Sequence, residues 1–545
     1  MMDILKKIDI RKLKVLFAVL LIAIAFLGIG MRFFEITHNQ FFYYDEGLFL
    51  NNNLSFLRFV SSHPPQNINR VLSYLTILTH LSLAGGKALW SFICGLRAFI
   101  LSYDAWYFVR IVSAIFGSFT ILLTYLFAFK YYRSHWIALL SFAILAVLPS
   151  HLYYSRLAMQ EAVSCFCFLA GMYFYIFPRR LNFRTFLSGI LFACVFFTNY
   201  RMIIIPVLTG ICEGLLSFAE GRRFDFRKYM WNTLTFLFVV FMVGDIDDAA
   251  NTRVTFAWMF YQAHLAEGHF DIINFLSYPY YLFKLESVFF GLLFFGNFYY
   301  IIKKEWRMGL PFIFVCIQMI IFSMPHEKGV RYLCFAFPFM AMAVASLIVY
   351  LFQNKHDHVF RRFVILLAVS MFFVHIIKDN NIIHFHSDYG TAVNDIERVN
   401  KNAGIIASQE LVLRLFASNP RKVVKPPVQV KYFLYLYKKG FRYFVLGPQA
   451  YISYTEDGKR FSMKLGNYIG FIDRNILPVR VYPHFNKAML ERFVLEHNEN
   501  LLRSIKFILA NNKNGTLGKL KVYDMNQCIA AMYKIMKAQN KLSGL

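Results

Sequence analysis

Long apolar runs divided by short polar turns fill the first 380 residues. Many approach the ~20 residues that cross a bilayer as a helix. Backbone groups in lipid must be satisfied within the segment, so such runs are read as helices. The pattern predicts a first helix over 15–33, with later ones over 105–129 and 135–149. A fourth ends at Arg179 and Arg180, a fifth covers 185–198, and a sixth ends at Arg222 and Arg223. The remaining five cover 230–246, 279–302, 309–324, a run ending at Lys355, and 363–377. Two shorter apolar stretches, 71–84 and 88–101, are split by Gly85-Gly86-Lys87. Their length suits interfacial or re-entrant segments, with a spanning hairpin as the alternative.

From about residue 379 the pattern changes. Stretches 404–408, 443–447, 479–482 and 520–523 are rich in strand-forming residues, and 411–417 and 487–496 carry helical periodicity. The expected architecture is an α-helical polytopic membrane protein of about eleven spans over 1–378, followed by a small α/β domain over 379–545.

Composition and charge sharpen this picture. The 545 residues are 58% hydrophobic and only 16% charged, against about 25% charged in globular domains. The net charge of +27 is carried in part by short loops between apolar runs, at Lys130, Arg133, Arg222, Arg227, Lys303, Lys304, Arg361 and Arg362. That distribution orients helices with Lys and Arg in the cytoplasm, and it argues against a nucleic-acid partner. The C-terminal domain then falls on the extracytoplasmic side. The N-terminal run exceeds a typical ~7–15-residue signal core and is expected to remain as an uncleaved helix. The eight cysteines show no disulfide framework and no CxxC metal pattern.

Against this apolar background, polar residues at the outer ends of the spans stand out. Phe41-Phe42-Tyr43-Tyr44-Asp45-Glu46-Gly47 follows the first span in an outer loop over 34–104. Ionisable groups at a membrane edge usually face a bundle interior and mark a site. Asp45, Glu46, His63, Arg156, Glu161, Arg201, His326, Lys328 and Arg331 all fall at outer ends and are expected to line one cavity. A carboxylate such as Asp45 can take the proton of an attacking hydroxyl. Cations in a poorly solvated place can hold a phosphate leaving group, and the forked guanidinium of Arg331 suits this best. Lys328, His326, Arg201 and His63 are its candidate helpers, and Tyr43 and Tyr44 could cradle a sugar ring. Glu46 could orient a cation or the acceptor.

Other polar groups have more ordinary readings. His264, Glu267, His269 and Asp271 have metal-capable side chains without the HExxH spacing. Asp245, Asp247 and Asp248 could bind a divalent cation or a basic acceptor, or form an acidic helix exit. Lys284 and Glu286 read either as a membrane-edge pair or as cavity lining. No metal ligand set and no required cofactor is expected, although a divalent cation is compatible with the acidic groups.

Four stretches, in order, carry a family resemblance: Tyr44-Asp45-Glu46-Gly47; His63-Pro64-Pro65; Tyr154-Ser155-Arg156-Leu157-Ala158-Met159-Gln160-Glu161; and His326-Glu327-Lys328-Gly329-Val330-Arg331-Tyr332 with Pro338 following. Over about 15–350 the chain resembles the GT-C glycosyltransferases that use polyprenyl-phosphate sugars, in the branch of protein O-mannosyltransferases and lipid A aminoarabinose transferases. The resemblance implies an inverting transfer with Asp45 as base and the late His/Arg turn near the donor phosphate. The implied partners are a polyprenyl-phosphate sugar donor, a lipid, glycan or protein acceptor, and membrane lipids. The implied location is a bacterial inner membrane. A secondary transporter or lipid flippase, or an oligosaccharide polymerase or ligase using a lipid pyrophosphate, are the rival expectations.

Overall fold

The computed structural model describes residues 10–37, 44–51, 54–84, 87–101, 106–178, 181–249, 272–325, 328–353, 358–453, 465, 467–484, 486–497, 500–514 and 518–542. The chain forms two compact units. One comprises Met1–Ile36 with Asn52–Ile383, and the other comprises Thr37–Asn51 with His384–Leu545. The sequence puts a boundary at 378 and leaves the acidic segment with the membrane part. The structure groups that segment with the C-terminal residues.

The first unit is helical. Six of its described helices are long and apolar enough to cross a membrane: Val15–Phe33, Tyr107–Tyr132, Tyr200–Glu220, Trp306–Ser323, Val330–Gln353 and Arg361–Ile383. His135–Ala146 and Pro149–Arg156 make a seventh if counted as one span bent by 56°. Ala88–Ile100, Glu161–Ile176, Phe183–Thr198 and Val288–Ile302 are apolar but shorter.

Lipid forces these apolar stretches to satisfy their backbone internally as helices, and several of their hydroxyls are satisfied internally too. Ser118 donates to the Ala114 carbonyl, Thr124 to Thr120, Ser141 to Ile137 and Thr209 to Ile205, each one turn back. Such back-bonding satisfies a polar group in an apolar place. The first helix presents Val15, Leu16, Val19, Leu20 and Phe26 outward, and Arg361–Ile383 presents Leu366, Val369 and Phe373. Exposed apolar stripes on membrane-length helices are lipid-facing surfaces. Gly28 lets the first helix press onto His135–Ala146, because a Cβ there would overlap the Ala146 carbonyl. Aromatic rings fill the middle of the unit, with Phe168 against Phe335 and Phe339, and Phe127 against Phe339.

Two elements differ from the pattern-based reading. The span expected over 135–149 ends at Ala146, and a second helix, Pro149–Arg156, follows it at an angle. The span expected over 279–302 is broken. Ser277–Tyr281 runs into a π-turn at Leu282–Glu286, Ser287 is extended, and Val288–Phe295 restarts the helix. The break is stitched by side chains. The Ser287 hydroxyl accepts from the Phe290 N–H, and the Lys378 ammonium donates to the Lys284 and Leu285 carbonyls. A broken helix within a bundle survives only when its freed backbone groups are taken up in this way.

Among the described residues the second unit holds a mixed five-stranded sheet. Its strands are β1 Gly404–Ala407, β2 Val423–Val424, β3 Phe441–Leu446, β4 Arg480–Pro483 and β5 Lys519–Asp524. They lie in the order β2-β1-β3-β5-β4. β2, β1 and β3 are parallel, whereas β5 runs antiparallel to β3 and β4 to β5. β1 is buried along its whole length, as a central parallel strand should be. β4 carries Arg480 and Pro483, residues that discourage further pairing at an edge. Helix Lys487–Glu496 begins where the sequence predicts, capped by the Asn486 side chain on the Met489 N–H.

Candidate active site

In the membrane unit the polar turns at one end of the helices are tied to one another. The Ser113 hydroxyl donates to the Met159 carbonyl, Tyr278 to Phe322, Tyr281 to Lys328, and the Cys165 thiol to Cys334. The opposite end carries other cations. There, Lys130 lies over the Tyr173 and Phe177 rings, and Arg307 donates to the Tyr131 carbonyl. Glu213 accepts from Lys228 and Arg222 at that end as well.

Arg201 and Arg331 come together at Tyr332. The Arg201 guanidinium carbon is 4.2 Å from the ring centroid and that of Arg331 is 5.3 Å away. Arg331 Nη2 also donates to Tyr332 Oη at 3.3 Å. Local sequence explains both placements. The Asn199 side chain caps the turn Tyr200–Ile204 by accepting from the Arg201 N–H, and Pro206 opens the helix that follows. Extended Gly329 leads into the tight turn Val330–Ala336, which hands over to Phe337–Gln353. Tyr332 is buried while the two arginines are half-buried, so the ring works as a fixed plate under two cations. Lys328 is also buried, and its ammonium donates to the Pro325 carbonyl at 2.7 Å.

Arg156 and Glu161 are buried at the same set of turns. The Arg156 guanidinium donates to the Met31 carbonyl and, at 2.8 Å, to that of Phe34. It thereby closes the C-terminal end of the first helix, where backbone carbonyls lack helical donors. Glu161 opens the helix Glu161–Ile176 and accepts from the Gln160 amide at 3.1 Å. His63 takes a different position: it is exposed, stacked on Phe59 at 4.7 Å, with the Ser62 hydroxyl 3.0 Å from its Nδ1. His326 and Tyr43 lie outside the described residues, as do His264, Glu267, His269 and Asp271.

Glu286 is buried and accepts from the Ser150 N–H at 3.2 Å, joining the broken helix to the start of Pro149–Arg156, whereas Lys284 is exposed. Among the described residues no group of three His, Cys, Asp or Glu converges as a metal site. A small apolar cavity lined by Phe127, Met172, Cys212, Pro311 and Phe339 includes none of the candidate residues.

In the second unit, Asp45 and Glu46 occupy the first turn of a helix, Tyr44–Asn51. Asp45 is half-buried and Glu46 fully buried. Carboxylates there are favoured by the helix dipole.

Several buried charges were not singled out by sequence reasoning. Arg32 donates to the Ala146 carbonyl at 2.8 Å and to His151 Nδ1 at 2.7 Å, and Asp379 acts on it electrostatically. Arg110 is buried and lies over the Trp106 ring. A lone charge at the edge of an apolar run was the available signal for each.

Residues 19–242 match the family model of dolichyl-phosphate-mannose-protein mannosyltransferases. The crystal structure of ArnT from Cupriavidus metallidurans in the apo state is similar, with a TM-score of 0.51 and 12% identity over 80% of this chain and 94% of that one. The structure of ArnT bound to undecaprenyl phosphate gives 0.48 and 11% over 84% and 97%. The archaeal oligosaccharyltransferase AglB from Archaeoglobus fulgidus, in complex with an inhibitory peptide and a dolichol-phosphate, gives 0.48 and 9% over 83% and 71%. No curated protein sequence matches significantly. The likeness to apo ArnT shows the GT-C fold, and the family match supplies the class of activity. The chain is a multi-pass membrane glycosyltransferase of the GT-C type.

Proposed function

We propose that this enzyme moves a sugar from a polyprenyl-phosphate carrier to an acceptor hydroxyl on the extracytoplasmic face of a bacterial inner membrane. The observation that carries the reading is the convergence of Arg201 and Arg331 on Tyr332. It occurs in a chain whose residues 19–242 match a family named for a dolichyl-phosphate sugar donor.

The chemistry follows from the groups. The acceptor oxygen attacks the anomeric carbon from the face opposite the carrier. The bond from that carbon to the phosphate oxygen breaks, its electron pair leaves with the phosphate, and the configuration inverts. Asp45 takes the hydroxyl proton. Arg331 and Arg201 hold the growing phosphate charge in a place where solvent competes weakly. Lys328 and His326 add positive charge nearby, and Tyr43 and Tyr44 flank the sugar. Arg156 and Glu161 hold the neighbouring turns of the membrane unit, and the C-terminal unit contributes to acceptor binding.

The test is a panel of lipid-monophosphate and lipid-pyrophosphate sugars offered to purified, reconstituted protein, with Asp45→Asn alongside. Turnover should require a monophosphate donor and fall by about 10²–10⁴-fold in the variant. Undiminished transfer by Asp45→Asn removes the base. Turnover with pyrophosphate donors alone makes the chain a polymerase or ligase instead.

A further inference from the structure

The acidic helix Tyr44–Asn51 is only eight residues long. A helix this short has little stability of its own and takes its position from what it packs against. Its partner is the short helix Glu410–Leu413, at the carboxyl end of β1. Two features make the contact specific. At Gly47 the two backbones approach so closely that a Cβ would stand 2.9 Å from both the Leu411 carbonyl carbon and the Val412 nitrogen. Both are backbone atoms, which cannot swing aside as a flexible side chain can. At Asn51 a single amide nitrogen donates twice, to the Gly47 carbonyl and to the Leu411 carbonyl, each at 2.7 Å.

The Leu411 carbonyl suits this role. Around it the Arg414 N–H goes to Glu410 and the Leu415 N–H to Val412, so these helical donors pass it by. Behind it stands β1, buried throughout and paired on both sides, with the Ser408 hydroxyl accepting from the Gly447 N–H at 2.9 Å at the strand exit. Phe49 and Leu50 of the same helix are buried as well.

We propose that Gly47 and Asn51 are positioning residues that fasten the acidic helix to β1 through Leu411, so that the α/β unit sets where Asp45 acts. The proposal rests on the reading of Asp45 as the base. It gives the C-terminal unit a part in catalysis distinct from acceptor binding. An error of about 1 Å in placing a reacting group can cost about a hundredfold in rate.

The experiment uses full-length reconstituted protein carrying Gly47→Ala, Asn51→Ala or Asp45→Asn. Steady-state kinetics with a lipid-monophosphate sugar is combined with amide hydrogen exchange. Asn51→Ala should lower kcat about tenfold or more while the donor KM stays within about twofold. Exchange over 44–51 should quicken while Tyr107–Tyr132 stays as protected as in the parent. Gly47→Ala should do the same. Asp45→Asn should lose activity with 44–51 still protected. Full kcat in Asn51→Ala despite quickened exchange overturns the positioning role, and unchanged protection in both anchor variants overturns the anchor. Normal turnover in Asp45→Asn, with 44–51 exposed by Asn51→Ala, sinks the base reading and leaves the anchor standing.

Discussion

Tyr332 is the residue whose loss should report most directly on donor binding. Two guanidinium groups that repel each other are held against its ring, at 4.2 and 5.3 Å from the centroid. A cation–π contact is worth about 0.5–1 kcal/mol when exposed and about 2 when desolvated. Tyr332 is buried and its arginines half-buried, so about 1 kcal/mol per contact is a fair value. Tyr332→Leu removes both. Without the plate the arginines move apart, and the donor phosphate must draw them back. About 2 kcal/mol of reorganisation corresponds to a rise of about thirtyfold in donor KM. Tyr332→Phe keeps the ring and removes the 3.3 Å hydrogen bond from Arg331. That loss is about 1 kcal/mol, or about fivefold. The assay is a donor titration at saturating acceptor, with thermal unfolding of each variant as a folding control. A folded Tyr332→Leu protein with a parental donor KM, or Leu and Phe variants of equal effect, would falsify the plate argument.

Two further predictions concern groups remote from the chemistry. Glu213 is fully buried and accepts from Lys228 at 3.1 Å, while Lys228 also lies 4.4 Å from the Tyr175 ring centroid. Glu213→Gln strands a buried ammonium and should destabilise the membrane unit by about 3–5 kcal/mol, seen as a lowered Tm in detergent. The double change Glu213→Leu with Lys228→Met should recover most of that loss, and a failure to recover would count against the pair as the cause. In the second unit, burial pushes His484 from 6.5 down to about 3, so it is neutral in the fold, with Nδ1 accepting from the Asp388 N–H at 3.2 Å. The unfolded chain then binds the extra proton first. Stability from this group is complete above about pH 6.5 and declines as pH falls toward 3. Hydrogen exchange over 384–400, corrected for intrinsic rates, should quicken from pH 7 to pH 5 in the parent, and His484→Gln should flatten that slope.

Local pattern was enough for much of the fold. Membrane-length apolar stretches ended by cations foretold Tyr107–Tyr132, Trp306–Ser323 and Arg361–Ile383, because a bilayer demands about twenty apolar residues in a row. Four of the five strands and the helix Lys487–Glu496 were legible from alternation and periodicity alone. So were Arg201 and Arg331 as unusual charges at helix ends. Tertiary structure decided the rest, since the causes lie far along the chain. The broken helix at Ser287 stands because Lys378, over ninety residues later, takes its loose carbonyls. The sequence shows Arg156 only as a charge at a helix end, and the fold alone reveals that its guanidinium reaches the Met31 and Phe34 carbonyls. The acidic helix has eight residues and no periodicity of its own, so nothing near it in sequence could say that it belongs with Leu411, 360 residues away. Short elements have too few local bonds to choose a place, and only the folded chain brings them the partner that does.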